Sequence, residues 1–175
     1  MSVAEITVPS AMVAAVADEK YGPVCRELIR SARRRCLCSI FIVDTWPWRD
    51  NDLVIDSLLI ELASTAWRGV DVRLLIGGSR SNLRLAEVAA AARARARELG
   101  IVCRWLTSVP GRRGSHVKLV IADDDVLTGS HNWSSGAFDG QLQDSVHVRS
   151  PALAEYLADT FEQQWTRTPA EAAHG

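Results

Sequence analysis

Apolar positions follow two rhythms along this chain. Behind Pro23, which suits the first turn of a helix, Val24, Leu28, Ile29 and Ala32 recur at helical spacing and carry a helix to the basic cluster Arg33, Arg34 and Arg35. Cys36 to Asp44 is instead almost continuously apolar and rich in β-branched residues, the pattern of a central strand covered on both faces. Leu53 to Trp67 reads as an amphipathic helix closed by Arg68 and Gly69, and Val70 to Ile76 as the next buried strand. A third helix runs from Asn82 through Leu99 to a stop at Gly100, and Ile101 to Leu106 is a strand again. Strand, helix, strand, helix, strand calls for parallel strands joined by right-handed crossovers, an α/β class.

Beyond this unit, Val117 to Ala122 and Val126 to Thr128 form a hairpin across three aspartates, and Gly129 lets the chain swing into a short helix at Trp133 to Phe138. Asp144 to Arg149 is a further strand. Ser150 and Pro151 open a last helix, with Leu153, Leu157, Phe161 and Trp165 one turn apart on its apolar side. Before Pro23, the run Met12 to Ala17 behind Pro9 and Ser10 predicts a short packed helix.

At 175 residues the chain is long enough for one sizeable core and too short for two ordinary domains. The expected organisation is an extension over 1–22, one domain over 23–166 and a fraying tail over 167–175. No apolar run approaches the roughly 20 residues that a bilayer span requires. Cys25, Cys36, Cys38 and Cys103 lack a zinc spacing and read as reduced core residues, which favours the cytoplasm. A net charge of -1 excludes a uniformly basic nucleic-acid binder but leaves room for a local patch, built almost entirely of arginine.

The chemistry gathers between Ser115 and Trp133. On a strand, His116 and Lys118 leave the same face, so a nucleophilic or proton-transferring imidazole stands beside a fixed cation. Ser130 and Asn132 are expected at the start of the short helix, where a hydroxyl and an amide favour an anion. Imidazole, ammonium, hydroxyl and carboxamide together suit a phosphate, with one group to attack and several to hold its oxygens. Arg112 and Arg113 precede the segment directly and are the candidates for contact with a substrate backbone. The loop Trp46-Pro47-Trp48 either walls the pocket or dimer seam or covers the core edge. Gly77-Gly78 reads as a flexible loop, the arginines at 93, 95 and 97 as a solvated helix surface, and Arg33 to Arg35 as a solvated helix end rather than a nucleic-acid contact. His131, on the first turn of the short helix, reads as an exposed residue ahead of a substrate contact, and His147 as packing or surface.

His116, Lys118 and Asp123 match H-x-K-x4-D, and Gly129, Ser130 and Asn132 match G-S-x-N, so the segment resembles the HKD motif of the phospholipase D superfamily. Five residues separate Asp123 from Gly129 where the usual pattern has six. The resemblance implies a three-layer α/β/α sandwich with a mixed, mainly parallel sheet, and a metal-independent phosphodiesterase that works without a cofactor. In-line displacement needs a nucleophile on one side of phosphorus and a proton donor on the other, and only His116 stands in an H-x-K setting. In the superfamily, two motifs make one site, and small single-motif members, such as bacterial endonucleases and Zucchini-like nucleases, form homodimers. The implied roles are His116 as nucleophile in one chain and acid in the other through a phosphohistidine, Lys118 and Asn132 on phosphate oxygens with Ser130 assisting, and Asp123 steadying the hairpin. Asp144 is aligned with the family's carboxylate that holds the histidine's other nitrogen. The first expectation is an endonuclease acting on DNA or RNA. A phospholipase D-type lipid hydrolase, and a nucleic-acid-binding subunit of a larger defence complex, stand as alternatives.

Overall fold

The strand that opens the nearly continuous apolar stretch after Arg35 lies near the middle of a seven-stranded sheet. The computed structural model describes residues 6–8, 10–45, 52–108 and 113–169. In chain order the elements are β1 (Met12–Ala17), a 3-10 turn (Asp18–Lys20), α1 (Tyr21–Ser31), β2 (Arg35–Ile40), α2 (Asp52–Trp67), β3 (Asp71–Ile76), α3 (Leu83–Glu98), β4 (Val102–Trp105), β5 (Lys118–Ala122), β6 (Asp125–Gly129), α4 (Ser135–Asp139), β7 (Asp144–Arg149) and α5 (Pro151–Arg167). The sheet order is β1-β7-β6-β5-β2-β3-β4.

Parallel pairing is confined to β2-β3 and β3-β4, the part built from helical crossovers. Residues of α2 and α3 pack into one cluster with β2 and β3, so both helices fall on the same face, as right-handed crossovers between strands that step in one direction require. α1 joins them there, packed with Cys36, Cys38, Ile40, Leu74, Ile76 and Val120. The alternate residues Leu37, Leu75, Leu119, Ile121 and Val126 point the other way, onto Ala154, Ala158, Phe161 and Trp165 of α5. Buried on both faces, β2 could not have shown a clean alternation, and its nearly continuous hydrophobicity, broken only by Ser39 after Arg35, is the corresponding signal.

Two expectations are corrected. The sheet is mixed, but it is not mainly parallel: β5, β6, β7 and β1 follow one another through antiparallel pairings, and β5 joins β2 antiparallel as well. Short connections permit hairpins, whereas parallel neighbours need long crossovers, so only the helical half of the chain supplies parallel pairs. Met12–Ala17 is an edge strand on β7, not a helix, with Val13 opposite Val148 and Ala15 opposite Val146. Its alanines favour helix locally, but the hydrogen-bond partners offered by the edge of β7 decide the outcome.

The predicted strand from Cys36 to Asp44 ends as a strand at Ile40, and the remainder has another task. Val43 forms a parallel bridge with Trp133, the Trp133 N–H donates to the Ile42 carbonyl (2.9 Å), and the Asp44 N–H donates to the Trp133 carbonyl (2.7 Å). The chain after β6 is thereby laced to the chain after β2. With β5 antiparallel to β2, β6 to β5 and β7 to β6, the ends Phe41, Gly77, Lys118, Gly129 and Asp144 all lie along one rim of the sheet.

Candidate active site

His116 precedes β5 at this rim. The segment that carries it is fixed from behind: the Ser115 N–H donates to the Leu106 carbonyl (3.2 Å), the Ser115 and Ser39 hydroxyls lie 3.3 Å apart, and the Val117 N–H donates to Ser115 Oγ (3.2 Å). His116 is exposed, with its ring tilted against Phe41 at 4.4 Å between centroids. Lys118 is only 8% exposed, and its ammonium donates to the His116 carbonyl at 2.9 Å while standing 3.1 Å from Nδ1 of the same histidine. That ammonium also lies 5.1 Å from the Phe41 ring centre. Burial lowers the Lys118 pKa from the ordinary lysine value. A buried cation therefore stands beside an exposed imidazole at the head of β5.

Asn132 approaches from the adjacent loop. Its Oδ1 accepts the Ile42 N–H at 3.2 Å, which leaves the amide nitrogen as the group offered to an anion. Ser130 Oγ donates to the Asp144 carbonyl (3.1 Å) and accepts the Asp144 N–H (3.0 Å), and the Ser130 N–H reaches the same carbonyl at 2.9 Å. Both residues were expected at the start of the short helix, yet α4 begins only at Ser135, capped by Ser134 Oγ. The lacing to Ile42 and Asp44 holds Ser130 to Trp133 extended, so they form a loop along the rim. Gly129 is required here. A Cβ on it would meet the Asp144 carbonyl oxygen and the Ser145 backbone well inside van der Waals contact.

Asp123 sits at the opposite end of β5. Its carboxylate accepts the backbone N–H groups of Arg33 (2.8 Å), Arg34 (2.9 Å) and Arg35 (3.0 Å), and its φ is +54°. Burial pushes its pKa up, but the three amides and the Arg34 guanidinium outweigh that, and the net displacement is downward. The arginine cluster at 33–35 is consequently far from His116, with Arg34 paired to Asp124 and Arg35 to Glu155.

His131 corrects the expectation of an exposed ring on a helix. It is fully buried, stacked on Tyr21 at 4.3 Å, with Nδ1 2.8 Å from Ser145 Oγ and Nε2 3.2 Å from the Asp18 carbonyl. The carbonyl requires Nε2 to carry the proton, so Nδ1 accepts from Ser145. Burial lowers its pKa below the ordinary histidine value. His147, by contrast, is half-buried on β7 and bonded to Asp125 at 2.8 Å.

Asp144 is exposed, and among the described residues no hydrogen bond joins its carboxylate to His116. Arg113 is exposed on the approach to His116, whereas Arg112, Trp46, Pro47 and Trp48 lie outside the described residues. Arg95 and Arg93 are not simply solvated: Arg95 pairs with Asp56 and Glu98, and Arg93 covers the Trp105 ring. Phe41, Ser39 and Ser115 escaped the sequence reading, since nothing in an apolar run singles out the residue just past its strand. Gly77 was visible as a glycine, but its reason is close packing: a Cβ there would lie 2.7 Å from the Ser115 carbonyl and 2.9 Å from Phe41 Cα. Among the described residues no group of three His, Cys, Asp or Glu side chains is placed to hold a metal ion.

Comparison with known proteins places this geometry. The family described as cardiolipin synthase, PLD-like domain, matches residues 25–165. The fold is similar to that of Nuc, a phospholipase D family member from Salmonella typhimurium, at a TM-score of 0.75 and 21% identity over 94% of this chain and 100% of that one. It is similar to NucT from Helicobacter pylori at 0.63 and 16%, over 93% and 100% of the two chains. Phosphatidylserine synthase from Haemophilus influenzae gives 0.65 and 14%, over 86% of this chain and 36% of that one. No curated protein sequence matches the chain.

Proposed function

The chain belongs to the family of phospholipase D-like domains, and we propose that it is a phosphodiesterase that cuts DNA or RNA through a phosphohistidine at a site shared by two copies. One observation carries the reading: exposed His116, buried Lys118 3.1 Å from it, and Asn132, bonded to Ile42, lie along one rim of the sheet. One ring nitrogen of His116 attacks phosphorus, and the bond to the leaving oxygen breaks as the imidazolium of the other copy gives that oxygen its proton. The same imidazole, now neutral, takes a proton from water, whose oxygen displaces His116 from phosphorus and restores both rings. Lys118 and Asn132 compensate the charge on the non-bridging oxygens, with Ser130 assisting. Asp123, tied to three amides at the far end of β5, acts on the fold of the hairpin.

Nucleic acid is preferred over lipid because, among the similar folds named above, Nuc and NucT are covered over their full length, while the phosphatidylserine synthase is covered over 36% of its length. A further similar fold, over 90% of this chain and 53% of the other at a TM-score of 0.55 and 16% identity, is TrmBL2, an archaeal chromatin protein with its own mode of DNA binding. No helix among the described residues is long and apolar enough to cross a membrane.

The shared site is tested by mixing wild-type and His116→Ala chains and allowing them to exchange. If both imidazoles are needed, activity follows the square of the wild-type fraction, so an equal mixture keeps about a quarter of it. Activity in direct proportion to the wild-type fraction would show that one chain suffices.

A further inference from the structure

We propose that Arg80, held on the face of Trp105, binds the phosphate backbone of a nucleic-acid strand that continues from the His116 site across the ends of β3 and β4. The inference rests on the nucleic-acid reading above and names a binding residue outside the motif.

Most arginines of the described residues are committed to partners. Arg34 pairs with Asp124, Arg35 with Glu155, Arg73 with Asp71 and Glu162, and Arg95 with Asp56 and Glu98, while Arg104 donates to the carbonyls of Trp165 and Thr168. Arg80 differs. It is exposed, has no carboxylate or hydrogen-bond partner among the described residues, and lies with its guanidinium carbon 5.0 Å from the Trp105 ring centre.

Trp105 cannot readily turn away. Its Nε1 donates to the Gly77 carbonyl at 2.7 Å, and Arg93 covers the ring at 5.0 Å as well. A ring fixed in this way restrains the arginine side chain while its N–H groups stay available, which reduces the entropy lost when an anion is bound. The flanking Ser79 and Ser81 add two hydroxyls, 2.9 Å apart.

The patch is continuous with the catalytic rim. Gly77, which holds Trp105, packs against the Ser115 carbonyl and Phe41, and Phe41 packs against His116. β4 lies three strand spacings from β5, which His116 precedes, about 14 Å, or roughly four nucleotides of one strand at about 3.4 Å of axis per phosphate. Arg80 is therefore placed for a phosphate a few nucleotides from the scissile one. A phospholipid with a single diester, once that diester is at His116, has no second phosphate to offer there.

The test measures binding of a fluorescent single-stranded oligonucleotide by anisotropy in the His116→Ala background, across salt from about 50 to 200 mM. Arg80→Ala should weaken binding about five- to tenfold and reduce the salt slope by about one, and Arg80→Lys should recover part of the loss. Arg34→Ala, at the opposite rim, should leave both unchanged. Equal affinity and slope with and without Arg80 would overturn the inference. Cleavage by the wild-type chain is read separately: binding that depends on Arg80 without any cleavage would sink the catalytic reading and leave this one standing.

Discussion

Asn132 holds its carboxamide oxygen on the backbone N–H of Ile42, at 3.2 Å. One end of the amide is thus committed to the fold, and the proposed function assigns the other to the substrate. Asn132→Asp preserves an acceptor for Ile42 but replaces the offered N–H groups with negative charge. The variant should fold with a melting temperature close to wild type and lose about 10²-fold or more in kcat, measured by steady-state cleavage beside thermal melting. Retained activity would remove Asn132 from phosphate binding.

Asp123 gathers three backbone amides at the far end of β5. Asp123→Ala leaves those donors unpaired and should cost about 2–4 kcal/mol of stability, while kcat per folded molecule at low temperature stays near wild type. Its folded pKa is depressed, so its contribution is present above the ordinary aspartate value of about 3.9 and is lost as pH falls through the folded value. Denaturant titrations of both proteins at descending pH would show the gap between them closing below about pH 4.

These two residues mark how far the sequence reaches. The motif brought His116, Lys118, Ser130 and Asn132 to notice because chemistry limits which side chains can serve, and i and i+2 spacing on a strand was enough to put the first two together. The strand order was less legible. Met12–Ala17 has no local feature that prefers strand to helix, and only the free edge of β7 selects between them. Likewise, Ser130 to Trp133 resembled a helix start until the chain after β2 supplied its hydrogen-bond partners. Long-range pairing decided each case, and it leaves no periodicity to read.

His131 stands one residue from Asn132 and is wholly structural in its contacts, with Ser145, Asp18 and Tyr21. His131→Phe keeps the stacked ring but orphans two polar groups, and should cost roughly 1–3 kcal/mol at pH 7.5. The wild-type pKa is lowered in the fold, so the unfolded chain binds more protons below about pH 6.5, and stability falls as pH drops through that window. The cost of the substitution should shrink over the same range. A constant difference between pH 7.5 and 5 would contradict the neutral, doubly bonded imidazole.

Burying Lys118 comes at some expense to the fold. Its pKa is lowered by burial, so at pH values below the folded pKa both states are charged and the fold bears the full cost of desolvation; the cost diminishes as pH rises toward the unfolded value. Lys118→Met should abolish cleavage and leave stability at neutral pH unchanged or higher by roughly 0.5 kcal/mol or less, with any gain fading at alkaline pH. A loss of several kcal/mol would mean that the contact with the His116 carbonyl matters more to the fold than the desolvated charge does.

The central claim is that the His116 imidazole attacks phosphorus. Its most direct test compares wild type and His116→Ala on labelled single- and double-stranded DNA and RNA with EDTA present. The account predicts that wild type cuts at least one of these polymers without added metal and that His116→Ala cuts none, with a residual rate at least about 10³-fold lower. Cleavage by His116→Ala at the wild-type rate would contradict it.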